Sequence, residues 1–430
     1  MKKYLIRGGA DPTKRYTPGE LLKKDYIGNN SGNLMFLYGT MNVLTTSNAV
    51  CVPTYYQSEW SAAEIDEINQ NYSAFVMPLA DGFRASFTWN LDRLTDLMKQ
   101  LKIPCIVNGV GQRAKYDPDP DFSFPFNDTV KRFVGEVLNH SSMLGLRGEI
   151  TGDYLKKLGF LPERDYTVIG CPSMYMHGSL KENGRPENGS VGLSLNGLVP
   201  ERLEQFYIDL ITTNENAHII QQRSEELIDL YYGVERDLST KVPEFSQNNI
   251  FEAFDFRAMK ADGRVTFFTD VPDWIHYLRS FSLFVGARFH GTVAAVLAGV
   301  PTVITPFDAR TRELAAYHHI PTITERDLQQ GSGKKSPWEV ADFDQVVKAQ
   351  EKNLSHYKDF LKCNGLPSVF DEQTDLSFGR SPMENQAFNK WKPSAPISAY
   401  EACALPERAA RKAEYVLIKG AKRIRRLIIK

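Results

Sequence analysis

The chain is poor in cysteine. Its five cysteines, Cys51, Cys105, Cys171, Cys363 and Cys403, are odd in number, far apart and free of any Cys-x-x-Cys pair. That pattern excludes a disulfide framework and a structural zinc site, and it reads as reduced thiols of a cytoplasmic protein. An excess of charge of one sign is also missing: 51 Lys and Arg stand against 52 Asp and Glu, a formal net charge of −1. With no positive surplus to neutralise phosphates, a nucleic-acid partner is not expected. No apolar run approaches the roughly eighteen residues of a membrane span, and the opening Met1-Lys-Lys-Tyr-Leu-Ile-Arg7 lacks the apolar core of a signal peptide. The expected location is the cytosol, with contact to a membrane from that side left open. No short-period repeat suggests a solenoid. Neither an acidic cluster of the Mg²⁺ or Ca²⁺ type nor His/Cys spacing of the zinc type occurs, so no metal and no cofactor are expected.

What is present is an ordinary globular composition, 42% apolar and 24% charged, over 430 residues. That length exceeds one ordinary core and suits two domains plus an appendage. Short apolar runs of strand length at 74–78, 104–108, 143–146 and 166–170 alternate with helix-patterned stretches at 90–101, 128–139 and 151–158. After a polar, Gly/Pro/Asn-rich segment at 181–190 the alternation restarts, with strand candidates at 191–195, 218–222, 265–269, 283–286 and 302–305 and helices at 273–280 and 291–298. Such alternation is the sequence form of βαβ units and a parallel sheet. The fold class expected is α/β: two doubly wound Rossmann-like domains, 1–185 and 186–345, facing a cleft, followed by a helical extension, 346–430.

The most informative stretch is Ser282-Leu-Phe-Val-Gly-Ala-Arg-Phe-His-Gly-Thr292, followed by Gly299-Val-Pro301. An apolar strand runs out into Arg288 and His290, a helix is expected from Gly291 or Thr292, and Gly299 closes it. A cation and an imidazole thus stand at the carboxyl end of a parallel strand, where open α/β sheets bind ligands and a helix N-terminus favours an anion. The competing reading makes Arg288 a structural salt bridge and His290 a helix cap.

Several segments together carry a family resemblance. Val285-Gly-Ala-Arg-Phe-His290, Ala298-Gly-Val-Pro301 and Pro306-Phe-Asp-Ala-Arg310 follow Val107-Asn-Gly-Val-Gly-Gln112, Leu146-Arg-Gly-Glu-Ile-Thr151 and Val191-Gly-Leu-Ser-Leu-Asn196. In order and spacing the chain resembles the polysaccharide pyruvyl transferase family over roughly 29–324. That resemblance implies a two-domain fold like the B-type glycosyltransferases, with transfer of a pyruvyl group from phosphoenolpyruvate to saccharide hydroxyls, on an exopolysaccharide or cell-surface precursor. The family's early Asn-x-Gly-Asp signature is met by Asn30-Ser31-Gly32 with Asn33 in place of the acid; Asn30 is expected in a turn lining the acceptor side.

Phosphoenolpyruvate carries a carboxylate and a phosphate, so its site needs cationic anchors and a proton source for the methylene carbon. Arginine's planar fork suits the anchors. Arg288, with neighbouring Phe289, and Arg147 from the first domain are assigned to the donor; Arg310 assists or forms a structural ion pair. His290 is the acid–base candidate, favoured in its protonated form by nearby phosphate, as proton donor or as phosphate ligand. Gln112 and Asn108 are expected in a Gly-rich turn after a strand, and Asn196 at the end of the second domain's first strand, each as a substrate contact or a turn residue. Two other readings stand beside this one: a nucleotide-sugar glycosyltransferase of the same architecture, and a noncatalytic saccharide- or anion-binding relative. Finally, 415–430 pairs apolar Val416, Leu417, Ile418, Ala421 and Ile424 with basic Lys419, Lys422, Arg423, Arg425 and Arg426. Such a helix lies on an anionic membrane surface or packs across the domains.

Overall fold

The computed structural model describes residues 1–184, 186, 189–197, 199–234, 255–329, 336–388 and 394–428. Two all-parallel sheets account for the strands. The first contains β1 (Lys2–Ile6), β2 (Ala49–Pro53), β3 (Ala74–Met77), β4 (Ala80–Phe83), β5 (Cys105–Gln112), β6 (Leu144–Leu146) and β7 (Tyr166–Val168), in the order β2-β1-β3-β5-β6-β7 with β4 paired to β5. The second contains β8 (Val191–Ser194), β9 (Ala217–Gln221), β10 (Val265–Phe267), β11 (Leu283–Gly286) and β12 (Thr302–Ile304), in the order β10-β9-β8-β11-β12. The strand order reverses between β1 and β3 in the first sheet and between β8 and β11 in the second. Each reversal opens a crevice at the strand carboxyl ends, the usual ligand position in such sheets.

The central strands are buried on both faces, as parallel sheets require, and all four residues of β3, β8 and β11 are buried. One apolar core is continuous from Ile6 and Val76 in the first sheet to Leu193 and Val285 in the second. The helix Gly32–Leu44 bridges them. Twelve of its thirteen residues are buried, the mark of a helix enclosed by protein on every side. A second core, built on Phe83, Val107, Phe133 and Leu155, fills the other side of the first sheet.

Two expectations are corrected here. The helix after β11 spans Phe289–Leu297, not from Gly291 or Thr292: Arg288 keeps extended backbone at φ −115° and its carbonyl accepts the Thr292 amide at 3.2 Å. His290 therefore sits in the helix's first turn. At the other end Gly299, at φ +76°, closes the helix as expected, with Gly299 N–H on the Val296 carbonyl and Val300 N–H on that of Ala295. The second correction concerns Asn108 and Gln112. Both lie within β5, which absorbs Gly109 (φ +89°) through a register shift between Asn108 and Val110 instead of ending in a turn.

The segment expected to divide the domains includes 185 and 187–188, which lie outside the described residues. After the second sheet, the 21-residue helix Phe343–Cys363 returns to the first: its Tyr357 hydroxyl accepts from Asn108 Nδ2 at 3.2 Å, and Gln350 Nε2 donates to the Met174 carbonyl at 2.6 Å. The last helix, Leu405–Ile428, docks by its first half. Arg411 donates to the Tyr231 and Ser398 carbonyls and lies 3.9 Å over the Tyr231 ring, while Glu414 accepts from the Tyr232 hydroxyl. No helix among the described residues is long and apolar enough to cross a membrane.

Candidate functional site

Arg147 follows β6 at its carboxyl end, its amide tied to the Val110 carbonyl. The side chain is almost wholly buried at 2% exposure, and its guanidinium lies between two aromatic rings, 5.2 Å from Phe36 and 5.6 Å from Phe289. From there Nη2 reaches His290 Nε2 at 3.4 Å and Cys171 Sγ at 3.5 Å. A residue of the first sheet thereby meets the first turn of the helix that follows β11 in the second. Because the guanidinium only donates, Nε2 carries the imidazole lone pair and Nδ1 the proton. The Arg147 Nε is buried without a hydrogen-bond partner, so the group retains donor capacity for an anion.

Charge accumulates around this contact. Asp81, at the start of β4, pairs with Arg84, with Arg113 at 2.5 Å and with Arg310 at 3.3 Å. Burial alone would raise its pKa, but Arg310, Arg113, Arg84 and Arg147 together hold it at about 2. Arg310 also pairs with Asp308 at 3.1 Å, and its Nε is buried without a partner. Opposite behaviour appears at Glu313, which accepts from the Thr151 amide at 2.9 Å and from its hydroxyl at 2.9 Å; burial pushes this carboxyl up to about 7. His290 is held well below its ordinary value by burial, and next by the positive Arg147 and Arg310, with Asp81 opposing. These causes favour the neutral imidazole when no anion is bound; the protonated form was expected only beside a bound phosphate.

Gly32 fixes where the imidazole stands. A Cβ there would lie 2.6 Å from His290 Nδ1 and 3.0 Å from Asn30 Oδ1, closer than real Cβ contacts allow. Asn30 Oδ1 accepts the Gly32 amide at 2.8 Å, and the Ser31 amide donates to the Gln222 carbonyl at 2.7 Å. The Asn30-Ser31-Gly32 turn thus abuts His290 across the junction. Gly32→Ala is expected to displace the imidazole and cost about 1–3 kcal/mol of stability; loss of turnover with a retained cooperative melt checks it, and unchanged turnover would count against His290.

The remaining expected residues separate. Arg288 is 9% exposed, and its guanidinium is engaged by the Leu195 carbonyl and by Glu226 at 2.6 Å, inside the β8/β11 crevice of its own sheet. That matches the salt-bridge reading. Phe289 is buried at 5% exposure and braces Arg147. Gln112 is 1% exposed, with Nε2 on the Arg113 carbonyl and its amide on Thr151 Oγ1 at 3.0 Å. Asn108 is wholly buried between Thr40 and Tyr357. Asn196 lies just past β8, half-buried, its carbonyl accepting the Val199 amide. Asp81, Glu226 and Glu313 were not anticipated: single acids at unremarkable spacing carry no signal until the chain folds. A cleft of about 520 Å³ borders the cluster, with Phe36 and Asp81 in its wall.

Among solved structures, the chain is similar to the S. aureus MnaA–UDP complex at 11% identity and TM-score 0.40, over 84% of this chain and 98% of that one. It is also similar to the Methanocaldococcus jannaschii UDP-GlcNAc 2-epimerase in complex with UDP-GlcNAc and UDP, at 14% identity and TM-score 0.37, over 90% and 98%. Superpositions this loose say nothing of function. None of the curated proteins matches the chain. The family profile described as polysaccharide pyruvyl transferase matches residues 30–306, from the turn beside His290 to the end of the stretch that follows β12, and the chain belongs to that family.

Proposed function

We propose that this protein transfers a pyruvyl group from phosphoenolpyruvate to two hydroxyls of a saccharide, forming a cyclic ketal. One observation carries the reading. Arg147 from the first sheet and His290 from the second meet at 3.4 Å beside Arg310, and the Nε groups of both arginines are buried without a hydrogen-bond partner. Arg147 and Arg310 supply the two cationic anchors that a carboxylate and a phosphate need. Arg288, braced on Glu226, serves as a positioning residue that sets the crevice from which His290 projects.

The chemistry follows from those placements. Neutral His290 takes up a proton as the anionic donor arrives, then gives it to the methylene carbon, which leaves the enol carbon electrophilic. One sugar hydroxyl adds to that carbon and loses its proton. Phosphate departs with cleavage of the carbon–oxygen bond, and a second hydroxyl adds and loses its proton to close the ketal. The net change converts donor and diol to ketal and inorganic phosphate. Preorganised guanidiniums in a buried site contribute most where negative charge shifts onto the leaving group.

Thermal unfolding tests the donor. Phosphoenolpyruvate is expected to raise the midpoint by binding only the native state, and UDP to leave it unchanged. The reverse result would assign the crevice to a nucleotide sugar.

We also place the last helix at an anionic membrane surface, where a lipid-linked acceptor precursor would be presented from the cytosolic side. Val416 and Leu417 are 68% and 74% exposed although the same helix docks through Arg411, Glu414 and the buried Ile418. The side chains of 421–428 and the whole of 429–430 lie outside the described residues. A Val416→Glu/Leu417→Glu variant is expected to lose most co-sedimentation with phosphatidylserine vesicles while its melt is unchanged, because each added charge opposes both burial and the surface potential. Equal sedimentation would leave the helix a purely structural element.

A further inference from the structure

The cleft beside the catalytic cluster has its own cation. Its floor is the crevice between β1 and β3, where the strand order of the first sheet reverses and where Arg7 and Pro78 leave the two strands. The Arg7 amide is fixed to the Val76 carbonyl at 2.9 Å, so the side chain starts from a rigid strand end. Its guanidinium lies 5.4 Å from the Tyr56 ring and 5.2 Å from the Phe87 ring. Among the described residues it has neither a carboxylate partner nor a side-chain hydrogen bond. Of the other cations in the wall, Arg84 is engaged by Asp81 and Arg93 by Glu59 at 3.0 Å, while Lys24 is exposed over the ring of Tyr26. Of the acids in the wall, Asp81 is shared among Arg84, Arg113 and Arg310, and Asp25 accepts the Asn29 amide at 3.0 Å. Burial, reinforced by Arg84 and opposed by Tyr56, weakens Arg7's hold on its proton, the response of a cation that lacks its counter-ion.

Arg7 is half-buried, and a guanidinium that has given up part of its hydration is costly to leave without a counter-charge. Aromatic faces hold it in place but supply only part of what water gave it. The same wall carries Tyr55 and Trp60, flat apolar surfaces of the kind on which sugar rings stack. About 520 Å³ is room for a sugar unit or two, well beyond a free phosphate. The cleft meets the catalytic cluster at Phe36 and Asp81, the side from which a seated saccharide would approach the proposed donor site.

We infer that this cleft binds an anion-bearing saccharide, with Arg7 as the ligand of its carboxylate or phosphoryl group, and that the acceptor is therefore an acidic or phosphorylated sugar. The second half of this inference rests on the pyruvyl-transfer reading; the first half stands on the cleft alone.

Calorimetric titration of the full chain with glucuronate, glucose 6-phosphate and methyl glucoside tests it. The charged sugars are expected to bind at least about tenfold more tightly than the neutral one, and which of the two is preferred separates a carboxylate from a phosphoryl source. Arg7→Gln is expected to remove that preference and Arg7→Lys to keep part of it. Equal binding of charged and neutral sugars, or an undiminished preference in Arg7→Gln, overturns the inference. Should Arg7→Gln fail to fold, crystals of the unaltered protein soaked with glucuronate decide: carboxylate oxygens within hydrogen-bond distance of Arg7 support it, and a carboxylate bound elsewhere in the cleft sinks it. Phosphoenolpyruvate is titrated alongside. If the donor never binds while acidic sugars do, the transfer reading fails and the anion site survives; if the donor binds and acidic sugars show no preference, the anion site fails alone.

Discussion

Replacement of His290 by glutamine is expected to lower phosphate release from phosphoenolpyruvate by about 10²–10⁴-fold, the range typical of a lost general acid. The substitution keeps the side chain's size and an amide near Nε2, so the Arg147 contact has a substitute and the melt should hold. The free imidazole is neutral because burial, Arg147 and Arg310 all oppose its charge. An anionic donor placed against the same arginines reverses that field and raises the imidazole's pKa, so donor binding is coupled to proton uptake. Donor affinity should therefore rise as pH falls below the imidazole's pKa in the complex, and level off once the free imidazole is itself protonated. Titrations in two buffers of different ionisation enthalpy measure the proton taken up: a fraction of a proton for the parent, none for His290→Gln. Equal uptake in both would place the proton elsewhere, and a rate within a few-fold of the parent would end the acid–base role.

The sign of the stability effect follows from the same field. A histidine whose folded pKa lies below its unfolded one binds its proton better in the unfolded chain. Its contribution is present in full above about pH 6.5 and is lost as pH falls toward the folded value. His318 acts in the same direction: burial, then Arg147 and His319, bring it down to about 3, and its Nε2 accepts the Cys171 amide at 2.8 Å. Glu313 runs opposite. Raised from 4.5 to about 7, it favours the folded state below the unfolded value and loses that contribution as pH rises through 7.

The parallel strands were legible in the sequence at β3, β6 and all five strands of the second sheet, where an apolar run stood between turn signals, although β2, Ala-Val-Cys-Val-Pro, is such a run and was missed. β1 begins with two exposed lysines and β4 reads Ala-Asp-Gly-Phe, so neither displays such a run. The helix Gly32–Leu44 was missed for the reverse reason: enclosed on all sides, it has no polar face and hence no period. Within the site, Arg147, His290 and Arg310 were readable because each follows a strand in a recognisable string. Their partners were not, because Asp81 is 229 residues from Arg310 and Glu226 is 62 from Arg288, distances at which only tertiary structure brings charges together. The direction of Arg288 was beyond reach on the same ground: a strand end places the residue in the crevice, but the Glu226 carboxylate decides where its fork points.

Removal of that carboxylate is the other large effect expected. Glu226→Ala should destabilise the protein by about 3–5 kcal/mol, because it leaves a guanidinium buried without its counter-charge. Both partners are sealed, with side chains 9% and 4% exposed at 2.6 Å separation, so solvent does little to screen the loss. Glu226 also accepts the amides of Gln222 at 2.7 Å and Arg223 at 2.8 Å, and those donors at the start of the helix Ser224–Tyr232 lose their partner too. A urea midpoint shifted at constant slope reports the change; a loss under about 1 kcal/mol, the level of an exposed pair, would refute the buried ion pair. Arg288→Met/Glu226→Leu should recover much of the loss, since apolar replacement of a buried pair is often neutral. That double variant also divides the two roles open to Arg288. Donor affinity close to the parent's, with turnover reduced through a misplaced His290, fits a positioning residue, whereas affinity lost together with turnover would return Arg288 to direct contact with phosphoenolpyruvate.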